Sequence, residues 1–154
     1  MFTHKIQPKA RIGLVWLTLI ASSPAWGQSE INTTFFGNLA IKGYDAVAFF
    51  SEGRAVKGSA NFEYDWNGAT WQFSSAENQA LFAAQPDNYA PQYGGYCAWA
   101  VSQGYTAGIE PEQFEIVNDK LYLTYDAQVK QKWLRNRDAF IAAADKHWPA
   151  IVNE

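Results

Sequence analysis

One thiol and one imidazole carry much of the chemistry open to this chain. Cys97 is the only cysteine in 154 residues, and it sits in Tyr93-Gly94-Gly95-Tyr96-Cys97-Ala98-Trp99. The histidines are His4 and His147, and the one methionine is Met1. Loss of an N-terminal leader would remove His4 and Met1, leaving Cys97 and His147 as the only soft ligands. Thiolate and imidazole bind copper or zinc. Cys97 and His147 are therefore candidate metal ligands. Tyr96, Tyr44, Asp45 or water would complete the site, or a homodimer would supply Cys2His2 across a two-fold axis. The same pair could act as nucleophile and base, with Asp45 or Asp145 orienting the imidazole, and a thiolate at a helix start has a lowered pKa. No nucleophile elbow, oxyanion signature or cofactor loop accompanies them, so binding is expected rather than catalysis. In a third reading Cys97 is a small buried hydrophobe. Gly94-Gly95 would then let backbone pass close to a strand or a ligand, with Tyr93, Tyr96 and Trp99 forming core or lining a pocket.

The other charged groupings read more simply. Asp45, after Gly43-Tyr44, suits a turn cap that bonds backbone amides. Glu110-Pro111-Glu112 with Glu115 reads as a solvated acidic loop without the alternating oxygen ligands of a calcium loop. Lys130, Lys132, Arg135 and Arg137 read as a solvated helix face.

The start of the chain has the layout of a secretory leader. Lys5, Lys9 and Arg11 precede the apolar run Ile12–Ala21, Ser22-Ser23-Pro24 breaks it, and Ala25-Trp26-Gly27 suits a cut before Gln28. Ten apolar residues reach about 15 Å as a helix, half a bilayer core. The expected division is a signal peptide over 1–27 and one domain over 28–154, periplasmic or secreted. Without Lys5, Lys9 and Arg11, nine basic side chains face fifteen acidic ones, a net charge of −6. That charge disfavours nucleic acid and anionic lipid. No second apolar segment is long enough to span a membrane, so no membrane association is expected after cleavage. A lone cysteine cannot form a disulfide within one chain.

Periodicity supplies the elements that would hold these residues. Ala46-Val47-Ala48-Phe49-Phe50 is a short apolar strand candidate. Phe62–Trp66 and Thr70–Phe73 alternate around Asn67-Gly68, a hairpin signal. A helix starts at Ser74 or Ser75, where Ser74 to Glu77 fits a capping box, and Pro86 ends it. Cys97–Val101 reads as a short helix with Gly104 as its stop. A second hairpin pairs Phe114–Val117 with Leu121–Thr124. Asp126 suits a helix cap. From Val129 the pattern is helical, with Phe140, Ala144, His147, Trp148 and Ile151 near one face and Pro149 fraying the end. The expected fold is α+β: small antiparallel β-hairpins packed with several short helices and a C-terminal helix. Five tryptophans and eight tyrosines remain beyond residue 27, and most of these rings are expected to fill the core.

Taken together, Gly43-Tyr44-Asp45-Ala46-Val47-Ala48-Phe49-Phe50, the stretch Tyr64–Tyr89, Tyr93-Gly94-Gly95-Tyr96-Cys97-Ala98 and Leu121-Tyr122-Leu123 resemble the YHS-domain family. They look most like its exported bacterial branch, over nearly all of residues 28–154. The wider group is similar to the small treble-clef-like metal-binding modules called TRASH domains. There a strand ends in Phe-Cys-Ser, and a second Cys follows four residues after the first. A Phe comes four residues later, then Asn/Asp-Pro and a Tyr. Here Phe73-Ser74-Ser75 stands for Phe-Cys-Ser and Asn78 for the second Cys, whereas Phe82, Pro86 and Tyr89 keep the spacing. Both thiolate positions are lost, so a TRASH-type zinc site is not carried over. The resemblance implies an exported binding module centred on Cys97, associated with copper or zinc or with a small ligand. Tyr44, Asp45, Tyr93, Gly94, Gly95 and Tyr96 are its candidate ligand-binding residues, and Cys97 and His147 its candidate metal ligands. The alternative is a structural or protein-interaction domain with Cys97 buried.

Overall fold

The computed structural model describes residues 29–153; the expected leader lies outside them. Two tight turns organise the strands. Asn67 and Gly68 both take positive φ, as do Asn118 and Asp119, the backbone that closes a two-residue hairpin in step with strand twist. The first turn joins β1 (Ser59–Trp66) to β2 (Ala69–Phe73), and the second joins β3 (Glu110–Val117) to β4 (Lys120–Thr124). Both pairs are antiparallel, with Tyr64 opposite Trp71 and Ile116 opposite Leu121, and each carries an irregularity in its longer strand.

Among the described residues six helices surround the hairpins: α1 (Ala48–Ser51), α2 (Ala76–Ala84), α3 (Pro86–Tyr89), α4 (Ala98–Ser102), α5 (Ala127–Arg135) and α6 (Arg137–Asn153). The α+β architecture expected from periodicity is therefore present, including the C-terminal helix. Among the described residues, no helix is long and apolar enough to cross a membrane.

Three local expectations change. Ala46–Phe50 is no strand: Val47 and Ala48 donate backbone N–H bonds of 2.9 and 3.2 Å to Asp45 Oδ1. That side-chain acceptor starts a turn of helix, α1, in an apolar run that alone favours either state. Of the two serines expected to start α2 it is Ser75 that caps, its hydroxyl accepting from Asn78 N–H at 3.1 Å, and the Ser74–Glu77 box does not form because Ser74 is engaged elsewhere. The C-terminal helical stretch is two helices broken at Asn136 (φ −150, ψ 44). α5 opens on Asp126, which accepts from Val129 N–H at 2.7 Å. α6 runs through Pro149 to Asn153 rather than fraying before it.

β4 divides the interior. Side chains alternate across a strand. Leu121 and Leu123 enter one apolar cluster with Trp71, Phe73, Phe82 and Cys97. Tyr122, between them, enters a second cluster with Tyr93, Val101, Trp133 and Ala144. α4 straddles the same divide: Cys97 at its start belongs to the first cluster and Val101, one turn on, to the second.

Candidate functional site

Cys97 stands at the entry to α4. Ahead of it, Tyr93 and Gly94 take left-handed backbone (φ 55 and 59) inside a 3-10 turn over Gln92–Gly95. Cys97 N–H donates to the Ala107 carbonyl at 3.0 Å, and its own carbonyl accepts from Val101. Beyond the helix, Gly104 (φ 90) reverses the chain, and Tyr105 N–H returns to the Ala100 carbonyl at 3.2 Å. These bonds fold Tyr105 and Ala107 back beside Cys97.

The result is a pocket of 240 Å³ lined by Cys97, Trp99, Ala100, Tyr105, Ala107, Tyr125 and Val129. Its walls are mainly carbon. Cys97 itself is fully buried, whereas Tyr105 and Tyr125 are about half exposed and form the rim. Trp99 and Tyr105 meet edge to face at 6.5 Å, and the Lys132 ammonium lies 5.3 Å from the centre of the Trp99 ring. Burial pushes the Cys97 thiol above its ordinary value, outweighing the backbone N–H groups of Ala100, Tyr125 and Trp99 that favour the thiolate. The sulfur is thus a neutral thiol at pH 7 and a poor nucleophile.

His147 does not line this pocket. Its Nδ1 lies 3.3 Å from the Val101 carbonyl oxygen and donates to it when that nitrogen holds the proton. Asp145, a candidate to orient the imidazole, instead accepts from the Tyr93 hydroxyl at 2.8 Å. Among the described residues no three His, Cys, Asp or Glu side chains gather at one point. A structural zinc site takes about four ligands, more than the described donors beside Cys97 supply within one chain. A site shared across a dimer would need Cys97 at the surface.

The six candidate ligand-binding residues are engaged with other parts of the fold. The Tyr44 hydroxyl donates to Glu112 Oε1 at 2.9 Å, and Lys57 lies over its ring. Gly94 packs against the chain's own Glu30, since a Cβ there would sit 1.7 Å from the Glu30 carbonyl oxygen. Asn32 completes that contact, donating from N–H to the Gly94 carbonyl (2.8 Å) and from Nδ2 to the Gly95 carbonyl (3.1 Å). The backbone behind the glycines is the irregular segment Glu30–Asn32 at the start of the described residues. Tyr93 and Tyr96 are buried, each about 6.0 Å from Trp148 of α6.

Asp45 is fully buried and entirely engaged. Beyond the two α1 amides on Oδ1, its Oδ2 accepts from Ser74 N–H (2.8 Å), Ser74 Oγ (2.6 Å) and Asn78 Nδ2 (2.7 Å). Ser74 and Asn78, the two positions singled out as replaced thiolates, thus meet at one carboxylate. Five donors on one acceptor group satisfy a buried charge and leave it no room for a ligand.

The pocket draws on residues that sequence reading passed over: Tyr105, Ala107, Tyr125 and Val129. The available signal was Gly104, a helix stop followed at once by an aromatic residue. No family model, curated protein or solved structure matches the chain.

Proposed function

We propose that the protein is an exported small-ligand-binding module whose site is the Cys97 pocket. The observation that carries this reading is the aromatic, nearly all-carbon lining around a neutral buried thiol. Ligand sites are typically apolar concavities with a few polar groups, and here the polar groups are the rim phenols and the thiol. Drug-sized ligands fill about 300–1,000 Å³, and an apolar cavity of about 150 Å³ holds benzene. A volume of 240 Å³ lies between these and suits a body of one or two rings. The favoured class is a small aromatic molecule with one polar end directed to the rim.

Titration with indole, followed by ligand-observed NMR, tests this. Nine heavy atoms at about 0.5 kcal/mol each give a Kd of about 0.5 mM. Val129→Phe, which fills the pocket from a half-buried position, is expected to abolish binding. Equal binding by wild type and Val129→Phe, or none by either at several millimolar, would refute the assignment.

A further inference from the structure

Phe35 and Phe36 are 93% and 83% exposed, the most exposed large apolar side chains among the described residues. They cap a protruding turn and meet edge to face at 4.9 Å. The turn is held firmly. Thr34 N–H donates to the Leu39 carbonyl at 3.0 Å, Thr34 Oγ1 donates to the Phe36 carbonyl at 2.6 Å, and Leu39 N–H donates back to Thr34 Oγ1 at 3.1 Å. Asn38 Nδ2 staples it to the Gly68 carbonyl at 2.7 Å, Thr70 N–H donates to the Asn38 carbonyl at 3.0 Å, and Ala40 N–H donates to the Thr70 carbonyl at 2.9 Å. Adjacent phenylalanines held in water by an ordered turn have no account in the packing of the fold.

We propose that this tip inserts its two rings into the headgroup–acyl boundary of a zwitterionic bilayer. Two observations favour lipid. No charged side chain occurs from Ile31 to Ile41, so insertion strips water from no ion. The apolar run Ile12–Ala21 ends fourteen residues before Phe35, at most about 50 Å of extended chain. A chain that keeps that run holds the tip within reach of the same bilayer, and a chain that has lost it still has the tip. The expectation of no membrane after cleavage rested on net charge and on the lack of a second long apolar segment. Neither bears on two rings entering a neutral surface. Two rings give reversible attachment, no stronger than a single acyl chain at about 10⁴ M⁻¹.

The chain recovered from an exporting host, sedimented with phosphatidylcholine–phosphatidylethanolamine vesicles, provides the test. Wild type is expected to partition. Phe35→Ser/Phe36→Ser is expected to lose about a hundredfold, roughly tenfold per ring, with an unchanged melting midpoint. Phe35→Trp/Phe36→Trp is expected to restore binding. No uptake of wild type, or equal uptake of the Ser variant, overturns the proposal. An equal loss on Leu81→Ser, an exposed position on α2, also overturns it. So does ring-dependent capture by a protein without vesicle uptake, which would assign the tip to a protein pocket.

Discussion

Replacing Asp45 by asparagine changes one atom at the most heavily bonded side chain in the interior. The carboxylate accepts five hydrogen bonds, three of them from backbone N–H groups of Val47, Ala48 and Ser74. Asparagine keeps one acceptor oxygen, and its amide must face either the α1 amides or Ser74. The Ser74 hydroxyl and Asn78 can turn to accept instead, but a backbone N–H cannot. At least one buried donor is therefore orphaned, at about 1–3 kcal/mol. The remaining bonds fall from charge-assisted to neutral, roughly halving their strength. Asp45→Asn should destabilise by about 3–4 kcal/mol, against a usual total of about 5–15. Ser74→Ala, which leaves Oδ2 with two donors, should cost about 1 kcal/mol. Urea unfolding followed by tryptophan fluorescence reads both. With a slope of about 1–3 kcal/mol per molar, the Asp45→Asn midpoint falls by 1 M or more. A change below about 0.5 kcal/mol, or a Ser74→Ala cost equal to that of Asp45→Asn, would refute this reasoning.

Gly94→Ala places a Cβ against the Glu30 carbonyl in left-handed backbone, whereas Gly68→Ala has the same backbone sign and open space. The first should lower Tm by about 10 °C and the second by no more than about 5 °C; equal shifts would contradict the close approach. Burial, then the Asp145 hydrogen bond, pushes the Tyr93 phenol well above its ordinary value. Folded and unfolded Tyr93 are both protonated below about pH 10; above it the unfolded state loses its proton first, so stability falls with rising pH. Tyr93→Phe should flatten that alkaline loss, and an unchanged slope in pH-dependent urea unfolding would count against it. The buried, neutral Cys97 thiol should react with a thiol reagent at pH 7 far more slowly in the native protein than in urea. Equal rates would mean that the sulfur is accessible.

Local chemistry in the sequence was enough for the turns and caps that depend on neighbours. Asn67-Gly68 and Asn118-Asp119 close hairpins because those residues tolerate positive φ, and Asp126 caps the helix it precedes. The strand expected over Ala46–Phe50 was misread because a five-residue apolar run has no period of its own. The deciding signal was Asp45, and its role as a cap was visible only as a turn. Contacts across distance were out of reach. Asp45 lies 29 residues from Ser74 and 33 from Asn78, and nothing local shows that one carboxylate gathers both. The Gly94-Gly95 pair signalled a close approach, but its partner, Glu30–Asn32, lies more than sixty residues earlier. The pocket was half legible. Cys97 and Trp99 stood out by type, whereas Tyr125 and Val129 reach it only because β4 delivers α5 beside α4.

Two-dimensional ¹H–¹⁵N NMR of the chain with added indole tests the binding site most directly. Saturable shifts are predicted at the amides of Cys97, Trp99, Ala100, Tyr105 and Tyr125, with His147 and Tyr44 unmoved and all shifts lost in Val129→Phe. Shifts centred elsewhere, or none up to several millimolar indole, would contradict the Cys97 pocket as a ligand site.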